Sequence, residues 1–196
     1  MQRIALGAVV ALAGCVTGSY VPPVDRSSQV SSERAYQAGF DPTWGALVDF
    51  ASSRFFSIQQ VEKASGLVSL SFSASPLEMY VDCGTIVING VQEGAPEPYI
   101  RYAERNFGAR LEGKVNVFAR SPGGDATTVR VTARYMLTIP GGGAEQVFAF
   151  DTGSGHTVQV PNALAGTLPY RTCRPTGRIE MMVLDGIARA MSQPGK

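Results

Sequence analysis

Between Thr127 and Ile139 apolar and polar residues alternate. Val129, Val131, Ala133, Tyr135, Leu137 and Ile139 take one side, and Thr128, Arg130, Thr132, Arg134 and Thr138 take the other. Successive side chains of an extended strand point to opposite faces, so a period of two fits a strand and would scatter the apolar residues round a helix. One face of such a strand is buried and the other meets water, the pattern of an antiparallel sheet covered on one side. Lys114 to Arg120, joined to it through Ser121-Pro122-Gly123-Gly124-Asp125, predicts the neighbouring strand of a hairpin.

Other stretches extend the sheet. Phe55 to Val61 and Leu67 to Phe72 flank Glu62-Lys63-Ala64-Ser65-Gly66 and predict a second hairpin, with Val68, Leu70 and Phe72 alternating with Ser69 and Ser71. Met79 to Gly84 leads into a short strand at Thr85 to Ile88. Asn89 to Arg110 shows no clear period and predicts a long loop with a helical turn around Tyr99 to Asn106. After Gly141-Gly142-Gly143, Glu145 to Phe150 and Thr157 to Val160 predict a further strand pair.

Two segments of helical period supply the cover. Asp41-Pro42 has the residue types of a helix start, and Trp44, Leu47, Val48 and Ala51 follow at helical spacing until Ser52-Ser53-Arg54. Near the other end, Ile179, Met182, Val183, Gly186, Ile187, Ala190 and Met191 form one stripe, with Arg178, Glu180, Asp185 and Arg189 opposite. Together these predict an α+β fold, an antiparallel β-sheet meander packed by an N-terminal and a C-terminal helix, in a single domain over residues 40–196. A hydrophobic content of 44% with 17% charged residues suits such a domain.

Ahead of the domain an apolar run begins at Ile4 behind Arg3 and closes on Leu12-Ala13-Gly14-Cys15. A charged start, an apolar stretch of about 7–15 residues and a small-residue site make a secretory signal, whereas a membrane span needs about 20 residues. The closing four residues resemble the lipobox of bacterial lipoproteins. That resemblance implies removal of residues 1–14, a diacylglycerol on the Cys15 thiol, an acylated amino terminus and attachment to a membrane. Val16 stands where an aspartate commonly retains such proteins in the inner membrane, which in a Gram-negative source implies an outer-membrane location facing the periplasm. Residues 15–39, rich in Ser, Thr and Pro, predict a flexible tether. Loss of Arg3 leaves 16 of the 17 basic residues against 16 acidic ones, with no basic cluster, so no nucleic-acid partner is expected.

With Cys15 carrying lipid, Cys83 and Cys173 remain in an exported chain. An even pair in an oxidising compartment predicts a disulfide, worth about 4 kcal/mol in the chain-entropy model. Two buried thiols or a metal site are the competing readings, the latter with an incomplete ligand set because His156 is the single histidine. No cofactor motif is present.

The order of a helix bearing Trp44, a Phe-rich strand, the Glu-Lys-Ala-Ser-Gly turn, successive antiparallel strands and a closing helix resembles the helix-grip domains of the BamC component of the outer-membrane β-barrel assembly machinery. Trp44 through Phe72 is the most specific part. Tyr80-Val81-Asp82-Cys83-Gly84 and Thr172 through Glu180 are similar to segments of proteobacterial lipoproteins. These resemblances imply a helix-grip-like fold in the envelope and carry no activity.

Phe148-Ala149-Phe150-Asp151-Thr152-Gly153-Ser154 resembles the catalytic motif of aspartic proteases, in which two aspartates share a proton to activate water. A second copy is missing, and the 45 residues after Asp151 contain a helix-patterned segment in place of the flap and second apolar-apolar-Gly loop of such enzymes. The same residue types form β-turns, which is the reading adopted. His156 lies among glycines with no acid or nucleophile patterned beside it, and Gly141-Gly142-Gly143 lacks the Lys-Ser/Thr of a phosphate loop. The expectation is therefore a non-enzymatic, membrane-anchored periplasmic lipoprotein, an accessory or scaffold component of an envelope complex with a protein partner. The alternative is a module for a small apolar ligand or lipid, with Tyr135, Phe148 or Met182 lining its cavity.

Overall fold

The computed structural model describes residues 17–24, 31–52, 56–89, 95–141, 144–152, 158–160 and 171–192. Cys15, His156, Gly153, Ser154 and the signal segment 1–14 lie outside the described residues.

The strand read from its alternation is the backbone of the fold. It runs Thr127–Gly141 (β9), and Val129, Val131, Ala133, Tyr135, Leu137 and Ile139 are all buried beneath it. Burying one such valine or leucine contributes roughly 1.5–3 kcal/mol, so the inner face of β9 alone anchors the core. Arg110–Arg120 (β8) pairs along it, and Leu67–Ala74 (β4) and Ser57–Glu62 (β3) continue the sheet outward. Gly66, at φ 70°, turns the β3–β4 hairpin. A Cβ there would sit 2.1 Å from the Ala119 carbonyl oxygen, so the close approach of the turn to β8 requires glycine.

The other edge of β9 is shared. Glu33–Tyr36 (β2) pairs with Thr127 to Arg130, and Ala144–Asp151 (β10) pairs with Arg134 to Gly141. The partner expected for Glu145 to Phe150 is thereby corrected: β10 folds back on β9, and Val158–Val160 (β11) pairs with Arg171–Pro175 (β12).

Helix Phe40–Ser52 (α1) and helix Arg178–Ser192 (α3) pack on the inner face and on each other, giving the α+β architecture expected. The start of α1 lies one residue before Asp41, because the Gly39 carbonyl accepts from both the N–H and the Oγ1 of Thr43. Gly186 of α3 lets the two helices approach: a Cβ there would lie 2.2 Å from the ring of Phe50. Phe50 in turn starts an aromatic ladder. Its ring lies 6.0 Å from Phe56, Phe56 lies 6.4 Å from Phe72, Phe72 lies 5.8 Å from Tyr135, and Tyr135 lies 5.5 Å from Phe150.

The tether expected over residues 15–39 is corrected in two places. Thr17–Val21 (β1) pairs with Thr85–Asn89 (β6), which pairs in turn with Glu97–Pro98 (β7). The second correction is β2, which ties the sheet to α3. The Tyr36 hydroxyl donates to the Leu184 carbonyl at 2.7 Å, and Arg34 pairs with Asp185 at 2.9 Å. Burial pushes the Tyr36 phenol up to about 12, so it remains a donor. The long loop expected from Asn89 to Arg110 contains the helix Tyr99–Phe107 (α2). Tyr99, Ile100 and Ala103 are buried on its inner side, and Gly108, at φ 68°, closes it.

Candidate functional site

Three places in the fold bring chemically capable side chains together. The first is the end of β10, where the protease-like motif begins. Thr152 does not face outward as a catalytic loop would. Its N–H donates to the Ala133 carbonyl at 3.3 Å and its hydroxyl donates to Glu180 Oε1. The Tyr135 hydroxyl donates to Glu180 Oε2 at 3.2 Å. Glu180, in the first turn of α3, has no exposed surface. Burial holds its carboxyl above the usual range, with the hydroxyl bonds from Thr152 and Tyr135 opposing part of that shift. Asp151 stands opposite Arg134 in the β9–β10 register. The cluster fastens α3 to the sheet.

Glu180 was expected on the polar side of its helix. The correction has a physical reason: Tyr135 and Thr152 bring two hydroxyl donors to the inner face, so a carboxyl is tolerated there. The signal was present, since Glu180, Val183, Leu184 and Ile187 are spaced by three, four and seven and are all buried.

The second place joins segments far apart in sequence. Cys83 and Cys173 form a disulfide with a Cα–Cα separation of 4.0 Å, and both are fully buried. Val81–Asp82 (β5) pairs with β12 next to it, through Arg174 opposite Asp82 and Pro175 opposite Val81. Thr172 N–H donates to the Tyr20 hydroxyl at 3.1 Å, so β1 is held as well. The buried Arg171 guanidinium lies 4.1 Å from the centre of the Tyr20 ring and 5.3 Å from that of Tyr99, a cation enclosed by π faces. Sequence reading missed Arg171 because it stands in no periodic stretch.

The third place is the water-facing side of the sheet. A groove of about 410 Å³ is lined by Glu33, Phe118, Arg120, Thr128, Arg130 and Thr132. Arginine and threonine there can take polar groups, yet Glu33 opposes an anion. Beyond it, Lys114 stands directly opposite Arg134 in the β8–β9 register.

The cavity that an apolar ligand needs would fall at Tyr135, Phe148 or Met182. Tyr135 is fully buried between the rings of Phe72 and Phe150, and Phe148 and Met182 pack against the core. Among the described residues no three His, Cys, Asp or Glu side chains gather as metal ligands, and no helix is long and apolar enough to cross a membrane. No protein-family model matches the chain, and no curated protein matches it either.

Proposed function

We propose that this chain is a non-enzymatic, lipid-anchored envelope protein whose folded domain serves as an accessory or scaffold subunit. The observation that supports this reading is the ring packing around Tyr135. At Tyr135, between sheet and helices, the space that a ligand would take is occupied by the rings of Phe72, Tyr135 and Phe150. The domain then meets its surroundings through its surface, as a protein-binding module does. The lipobox resemblance at Cys15 supplies the location: an outer-membrane lipoprotein facing the periplasm, with the membrane and an envelope protein as partners.

The test is crosslinking in intact cells with mass spectrometry of what copurifies with the protein. The expected result is one envelope protein recovered reproducibly and lost when residues 40–196 are deleted. Recovery of a bound lipid in place of a protein would overturn the scaffold reading and return the apolar-ligand alternative. Cys15→Ser is expected to move the protein from the membrane to the soluble fraction, and retention in the membrane would refute the anchor.

A further inference from the structure

Among the described residues, one edge of the main sheet is open. Among the described residues β3 pairs with β4 alone, and all six of its residues, Ser57 to Glu62, are exposed. An open edge presents a row of unpaired backbone N–H and C=O groups to any strand that matches it. Ile58 and Val61 are 41% and 46% exposed, so the edge also carries two uncovered apolar side chains.

Those two residues are three apart, which in a regular strand would put them on opposite faces. The β3–β4 register removes that difference. Ile58 lies opposite Leu70 and Val61 opposite Val68, with a bulge between Ile58 and Gln60. Leu70 and Val68 are both buried on the helix-bearing face of β4, so Ile58 and Val61 share that face. The bulge also returns both residues to the same phase of backbone hydrogen bonding along the outer edge.

The resulting edge matches itself. Ile58-Gln59-Gln60-Val61 reads as the same chemistry in both directions. Laid antiparallel about a two-fold axis between Gln59 and Gln60, it places Ile58 against Val61 of the partner subunit and Gln59 against the partner's Gln60. Ser57 then meets the partner's Glu62, so no like charges oppose one another. Lys63, the nearest cation, is taken by Asp41 of α1 at 2.8 Å. We infer that β3 is a self-pairing edge, through which two copies of this chain join antiparallel into one continuous sheet. The interface is isologous, as a two-fold contact must be. Ile58, Val61 and their two partner equivalents close over the junction on the helix-bearing face. This inference does not depend on the scaffold reading or on the lipid anchor.

The test uses purified full-length protein and the register. In the proposed pairing, opposed Cα atoms are about 4.5–5.5 Å apart, inside the range that a disulfide spans. Ile58→Cys carrying one tag is mixed with Val61→Cys carrying another under mild oxidation, which traps even a short-lived pair. The expected result is a doubly tagged disulfide dimer from the mixture and none from either variant alone. Ile58 and its own copy are offset by three residues, about 10 Å along the strands, too far to bridge. Equal crosslinking in the mixed and separate samples, or none in the mixture, overturns the register and the inference with it.

A charge exchange gives an independent reading on exposed positions. Q59K/Q60K sets lysines against lysines and is expected to abolish the dimer, and mixing it with Q59E/Q60E is expected to restore it. Failure of the mixture to restore the dimer, or capture of β3 by a different envelope protein with no self-crosslink, refutes self-pairing.

Discussion

Gly186→Ala is the sharpest test of how the two helices meet, because two effects of opposite sign act at one atom. Alanine in a helix interior is favoured over glycine by about 1 kcal/mol, so without tertiary contact the variant would be more stable. The new Cβ, however, would lie 2.2 Å from Phe50 Cδ2 and Cε2 and 2.8 Å from Cγ. Carbon atoms pack at about 3.5–4.0 Å, so the ring must retreat by more than an ångström. Phe50 is 4% exposed and its ring is backed by Phe56, which is backed by Phe72, so α1 must move as a body. Overpacking of this kind costs about 1–3 kcal/mol, and a rigid ring in direct collision lies at the upper end. The net expectation is a loss of about 2 kcal/mol, read as a lower urea midpoint with an unchanged slope, or as a Tm lowered by roughly 4–8 °C. Phe50→Leu in the same chain removes the obstacle, so the double variant should be at least about 1 kcal/mol more stable than the two single losses add up to. A Gly186→Ala protein as stable as the parent, or a strictly additive double variant, would refute the close packing of α1 on α3.

Other outcomes follow from the remaining contacts. Replacing Cys83 and Cys173 by alanine opens a covalent loop spanning a sequence separation of 90, and the chain-entropy model gives a loss of about 4–5 kcal/mol in denaturant unfolding. A loss below about 1 kcal/mol would show that the β5–β12 pairing holds the junction without the bond. Glu180 binds its proton more tightly folded than unfolded, so its contribution to stability is fully present below the unfolded carboxyl value. That contribution fades as pH rises through the raised folded value. Glu180→Gln should flatten this decline above about pH 4.5, and an unaltered pH profile would show that the carboxyl is not buried as described. Lys114→Glu replaces a like-charge pair with Arg134 by an opposite one and should raise stability by roughly 0.2–1 kcal/mol at low salt, with the gain vanishing at high salt.

What was legible in the chain was whatever the local period decides. The alternation of β9 assigns each inner and outer residue correctly, and the stripes at Trp44 to Ala51 and Ile179 to Ile187 place both covering helices. What escaped was set by distant partners. Glu33-Arg34-Ala35-Tyr36 carries a single apolar anchor, and it becomes a strand because Tyr36 reaches Leu184 and Arg34 reaches Asp185. Arg171-Thr172-Cys173 has no apolar alternation, and its strand exists through a disulfide and the Tyr20 and Tyr99 rings. Among the candidate sites the Asp151 motif was legible as a match, but its use was not. Only the fold brings the hydroxyls of Thr152 and Tyr135 to one carboxyl.

The contact of α1 with α3 also constrains the order in which this chain can mature. A polypeptide emerges amino terminus first, so α1, complete at Ser52, waits through more than a hundred residues for the helix that covers it. During that interval the apolar side of α1 and the inner face of the growing sheet are open to whatever surrounds them. Closure of α1 and the sheet is therefore a late event, gated by the arrival of α3, and a chain truncated before Arg178 would remain a client for holdase chaperones.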